Sequence, residues 1–150
     1  MTFAFYKGNT TFFDKVVSFW QHLIGNKYYG YSHVEIIDSN GIWYSASPRD
    51  GGVRSKLIIV KDNHWDFLDV PMSPYEEEGV LEFLEGQLGE KYDWLGIYLT
   101  MVLPLGIHSK ERWFCSEFAI EALKRAEFVT ISEPSSSFTP SDVYEFINSL

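Results

Sequence analysis

One cysteine in the chain, Cys115, stands in Phe114-Cys115-Ser116-Glu117, just ahead of Phe118, Ala119, Ile120, Glu121, Ala122, Leu123 and Lys124. That run mixes helix formers with apolar residues at helical spacing and closes on Lys124 and Arg125, so it predicts a helix opening at the cysteine. A thiol in a first helical turn feels the positive end of the helix dipole and nearby N–H groups without helical partners, both of which favour thiolate. Cys115 is therefore a candidate nucleophile, and it needs a base. His33, in Tyr31-Ser32-His33-Val34-Glu35-Ile36-Ile37, is the candidate. An imidazole of ordinary pKa near ~6.5 is the natural acceptor for a thiol proton. An acceptor on its far nitrogen would fix tautomer and orientation, and either Glu35 or Ser45 could supply it. His108 is a reserve base.

The elements that must position these groups follow from periodicity. Tyr31–Ile37 alternates as a strand, which puts His33 and Glu35 on one side with Tyr31 and Ile37. Ser39-Asn40-Gly41 marks a turn into a second strand, Ile42–Ser47, and the pair reads as a hairpin. Val53–Lys61 and Trp65–Val70 are two further strands, so an antiparallel meander is expected, joined by a first strand over residues 2–6. Thr10 or Thr11 caps a helix to about Ile24, with His22 in its last turn as a structural residue. Ser73-Pro74-Tyr75-Glu76 has the form of a capping box for a helix carrying Val80, Leu81, Leu84 and Leu88 on its apolar stripe. Tyr92–Val102 predicts another helix, stopped by Pro104. A short terminal helix opens at Thr139-Pro140-Ser141-Asp142, after a Ser135-Ser136-Ser137 linker.

Length and composition bound the rest. The 150 residues, 45% hydrophobic and 17% aromatic, suit a single domain with one core. A lone cysteine forms no intramolecular disulfide, and the start of the chain lacks the pattern of a signal peptide, so a cytoplasmic setting is expected. The longest apolar run, Trp94–Ile107, has 14 residues interrupted by Pro104. A spanning helix wants about 18 or more, so membrane contact is the minor expectation. Residues 62–93 hold ten acids against one base, which accounts for the whole net charge of −9. Nucleic acid, which needs clustered Lys and Arg, is not an expected partner; the acidic block reads as a solvated helix face. Neither a Cys-x-x-Cys nor a His-Glu-x-x-His motif is present, and no metal or cofactor is expected. His64, in the turn before Trp65, reads as a surface residue. Arg49 and Arg54 bracket the Asp50-Gly51-Gly52 turn. Either could hold a substrate carboxylate or phosphate, though a structural role is favoured.

The segments Ser32-His33-Val34-Glu35-Ile36, Asp38 to Gly41 and Tyr44-Ser45-Ala46-Ser47 together resemble the histidine hairpin of the NlpC/P60 superfamily of papain-like cysteine hydrolases. Here the histidine precedes the cysteine, as in the circularly permuted branch, the YiiX-like and lecithin:retinol-acyltransferase-like proteins. Gly89-Glu90-Lys91-Tyr92-Asp93-Trp94-Leu95-Gly96, followed by Arg112-Trp113-Phe114-Cys115-Ser116-Glu117-Phe118, also resembles the YiiX-like group. The likeness spans about residues 29–125.

That resemblance implies an α+β, permuted papain-like fold, an antiparallel sheet packed on helices with the nucleophile at a helix start. It implies Cys115 as nucleophile, His33 as base, the Cys115 N–H as an oxyanion donor, and Tyr92 with its hydroxyl toward the cleft, a half-buried core tyrosine being the alternative reading of that residue. Arg49 is the further candidate for substrate binding. The implied activity is amidase, peptidase or thioesterase-like, on a peptide-like amide or an acyl group. The alternatives are a catalytically silent binding domain of the same fold and a lipid-directed acyltransferase. Two positions depart from the family: Glu35 stands where relatives place a small residue, and the third polar slot falls near Ser45 rather than at a His, Asn, Gln or acid.

Overall fold

Burial of Phe3, Ala4 and Phe5, three consecutive residues of Thr2–Tyr6 and so on both faces of the strand, marks β1 as an interior strand. In a computed structural model the described residues are 1–7, 30–60, 63–92, 112–126 and 130–150. The helix expected from Thr10 or Thr11 to Ile24, the segment 93–111 with His108, and His22 lie outside them. The strands are β1, β2 (His33–Ile37), β3 (Trp43–Ser47), β4 (Gly52–Lys56), β5 (Trp65–Asp69), β6 (Lys91–Tyr92) and β7 (Arg112–Trp113). The helices are α1 (Pro74–Gly86), α2 (Cys115–Arg125) and α3 (Pro140–Asn148). The result is an α+β arrangement around one mixed sheet, ordered β5-β1-β2-β3-β4-β6-β7 and antiparallel throughout except for the β6/β7 pair. Among the described residues, no helix is long and apolar enough to cross a membrane.

The hairpin forms where Asn40-Gly41 allows it. Gly41 takes φ +79°, a left-handed value that suits glycine, and the Asp38 carboxylate accepts from the N–H groups of Asn40 and Ile42. Register then sorts the side chains. Phe3 lies opposite Ile36, Phe5 opposite Val34, Ile36 opposite Tyr44 and Ala46 opposite Val53, giving one apolar face. These residues share a buried core with Val80 and Leu84 of α1, Phe118, Ile120 and Leu123 of α2, and Val143 and Ile147 of α3.

Several expectations change. The four-strand meander does not form: β5 leaves β4 and pairs instead with β1, at the opposite edge. There it closes a strand whose backbone would otherwise be an open edge, and side chains fasten it through Thr2 Oγ1 to Asp69 and Lys7 Nζ to Asp66. The strand expected over Val53–Lys61 is β4, which ends at Lys56, with Leu57 and Ile59 exposed beyond it. β6 meets β4 only at its start, where a Cβ on Gly52 would collide with the Glu90 carbonyl. Tyr92 is strand, not the start of a helix. Tyr31 precedes β2 and packs its ring on Phe5 and Tyr144, so it does not share the His33 face. Leu88 is exposed rather than part of the α1 stripe. Ser135–Ser137 is a 3-10 turn, with the Ser135 hydroxyl held by Glu121, rather than a loose linker.

Candidate active site

The fold brings the element that carries Cys115 onto the strand that carries His33. His33 opens β2, paired with Tyr6 at the end of β1. β4 pairs with β6 and β6 with β7. β7 runs on through Phe114 to Cys115, where α2 opens and packs against β2. The Cys115 sulfur is near enough to the His33 imidazole to be among the groups that raise its pKa. Cys115 is buried, with 5% of its surface exposed, and the His33 side chain is 17% exposed.

α2 opens at Cys115 without help from a side chain. Its N-cap is Phe114, extended at φ −114° and ψ 161°, and no side chain bonds the first turn as a cap. The first intrahelical bond that closes over the cysteine runs from Phe118 N–H to the Phe114 carbonyl. The N–H groups of Cys115, Ser116 and Glu117 precede it and have no helical acceptor. Ser116 is used otherwise, its hydroxyl donating to the Phe138 carbonyl at 2.6 Å.

Nε2 of His33 stands 3.3 Å from Glu35 Oε1 and 3.4 Å from Ser45 Oγ. The two candidates for the orienting role are therefore both at the same nitrogen, but they are not equivalent. Ser45 donates its one hydroxyl proton to the Val34 carbonyl at 2.8 Å, leaving only its lone pairs toward the imidazole. Glu35 brings a charge. Burial disfavours that charge, but contacts with His33 and Arg54 outweigh it and hold the Glu35 carboxyl down to about 2. Burial likewise disfavours the His33 imidazolium; contact with the Cys115 sulfur and with Glu35 overrides it, and the pKa is raised. The arrangement favours an imidazolium held by the Glu35 carboxylate.

No family model matches this chain, and no curated protein does. The site is accordingly read from its own geometry.

Tyr92 lies in β6 and is buried in the core, consistent with a packing residue. Arg49 is exposed in the turn after β3, and His64 is exposed between β4 and β5, its ring 6.1 Å from that of Tyr6. Arg54, weighed in sequence only as a companion of Arg49, is the cation that reaches the site. Its Nη2 and Nη1 donate to Glu35 Oε1 and Oε2 at 2.6 and 2.8 Å. Strand alternation across the hairpin could have found it, since Ser45 and Arg54 are direct partners; that requires the β3/β4 register, which residue types alone do not fix.

Proposed function

We propose that this chain is a thiol-dependent hydrolase of the permuted papain-like kind, acting on an amide, ester or thioester carbonyl of a peptide-like or acyl substrate. The observation that carries the reading is a His33 whose Nε2 meets the buried Glu35 carboxylate at 3.3 Å, with Cys115, at an uncapped helix start, among the groups that raise the imidazole's pKa. With Nε2 occupied by Glu35 and Ser45, Nδ1 is the nitrogen for the thiol proton. The thiol proton passes to His33 and the sulfur attacks the carbonyl carbon. The oxygen that becomes negative is met by the N–H groups at the start of α2. As the tetrahedral intermediate collapses, the leaving amine, alcohol or thiol takes the proton from His33, and the acyl group remains on sulfur. Water then attacks that thioester with His33 as base, releasing the acid and restoring the thiol.

Trapping tests it. Incubation with p-nitrophenyl acetate, read by intact-protein mass spectrometry, should place one acetyl group on Cys115, with none in Cys115→Ser and far slower loading in His33→Ala. A wild-type protein that loads no faster than free cysteine would leave a silent binding domain of the same fold.

A further inference from the structure

A buried glutamate in the middle of a sheet needs a counter-charge, and the sheet supplies one from two strands away. Glu35 lies on β2 and Arg54 on β4, with β3 and its Ser45, the direct partner of Arg54, between them. Neighbouring strands are about 4.8 Å apart, so the Glu35 and Arg54 backbones stand roughly 10 Å apart. The residue between them is a serine whose short side chain turns to the Val34 carbonyl. That leaves room for the guanidinium to pass over Ser45 and meet both oxygens of Glu35 at 2.6 and 2.8 Å. The pair is well inside the protein, with 4% of the Glu35 side chain exposed and 15% of Arg54. Behind it, Asp50 accepts from Arg54 Nε at 2.9 Å and from Lys56 Nζ at 2.9 Å, so charges alternate outward from the imidazole to the surface.

We propose that Arg54 is the positioning residue of this site: its fork fixes the Glu35 carboxylate against the His33 imidazole and keeps it ionised there, Ser45 being the gap that lets it reach. A carboxylate held at one oxygen can rotate about its last bond. Held at both, it presents Oε1 to Nε2 in one orientation, and a planar fork does this where a point charge does not. The same contact opposes the protonation that burial alone would favour. Arg54 touches neither the sulfur nor a substrate; it acts through Glu35. The inference rests on the hydrolase reading for its effect on reactivity, but not for its effect on the carboxyl.

Two readouts separate those parts: the carboxyl carbon of Glu35 followed by NMR through an acid titration, and the rate of Cys115 alkylation by iodoacetamide. In Arg54→Gln the Glu35 titration should rise by about one unit or more relative to wild type, and alkylation at neutral pH should slow on the order of 10-fold. In the Glu35→Gln background the same substitution should change the alkylation rate no further. Arg54→Lys, which keeps the charge and the fold, should leave Glu35 titrating low while alkylation still slows. An unmoved Glu35 titration in Arg54→Gln, equal slowing with and without Glu35, or wild-type alkylation in Arg54→Lys would each overturn the proposal. A wild-type thiol no faster than free cysteine removes the hydrolase reading instead, and the Glu35 titration still decides whether Arg54 holds the carboxylate.

Discussion

α1 and α3 begin alike, and α2 does not. Ser73 and Thr139 each accept the N–H three residues on, while Glu76 and Asp142 reach back to the N-cap backbone; a proline follows each cap. Those two starts are closed by their own side chains. α2 starts on Phe114 with no side chain to cap it, and the residue at its first position is the cysteine. The missing cap costs the helix about 1 kcal/mol of local stabilisation, offset by the eight residues of α2 that are buried. Packing rather than capping holds this helix, which leaves its first N–H groups without a side-chain cap beside the sulfur. The contrast separates starts built for stability from a start available for chemistry.

The largest effect that would break this contrast is on reactivity. Cys115→Ser should abolish acyl loading, and His33→Ala should slow it by roughly 100- to 10,000-fold, the range of a positioned base. Ser73→Ala and Thr139→Ala, at the capped starts, should leave loading unchanged. A capped-start variant that slows loading as much as His33→Ala would erase the distinction.

Next in size is the charge behind the base. Glu35→Gln should cost about 1.5–3 kcal/mol at neutral pH, the range for a hydrogen bond to a charged group, read from denaturant midpoints. The sign of its pH dependence follows from a folded-state pKa of about 2 against an ordinary 4.5. Glu35 contributes stability above about pH 4.5 and loses that contribution as pH falls toward 2. The stability difference between wild type and Glu35→Gln should therefore shrink across that window. His33 runs the other way: its pKa is raised, so its contribution is complete below an unfolded value near ~6.5 and fades as pH rises through the folded one. A difference between wild type and Glu35→Gln that grows on acidification contradicts the pairing.

The smallest effect is at the caps themselves. Ser73→Ala and Thr139→Ala should each lower stability by about 1 kcal/mol, measured by the same unfolding curves, with the loss confined to stability. A neutral result at either would mean that packing holds that helix as well.

Those capping boxes are what sequence shows best, since Ser73–Glu76 and Thr139–Asp142 act within four residues. The β2/β3 hairpin and the helix opening at Cys115 are legible for the same reason: each is set by neighbours in the chain. What hides is set by distance. Nothing local says that β5 crosses to pair with β1, because the alternative partner β4 is nearer in sequence and only the unfilled edge of β1 decides it. Tyr31 continues the alternation of β2 on paper, yet the strand begins at His33 and the ring turns to Phe5. Arg54 looks like a turn residue beside Arg49 until the β3/β4 register carries it across Ser45 to Glu35. Glu35 and the arginine that answers it are 19 residues apart, and only the folded sheet makes them one unit.

The most direct measurement is the rate of Cys115 alkylation by iodoacetamide at neutral pH, in wild type and His33→Ala, beside free cysteine. With His33 acting on the sulfur, wild type should react faster than free cysteine, and His33→Ala should lose that advantage. A wild-type rate no faster than free cysteine, and unchanged in His33→Ala, would contradict the pairing on which the site depends.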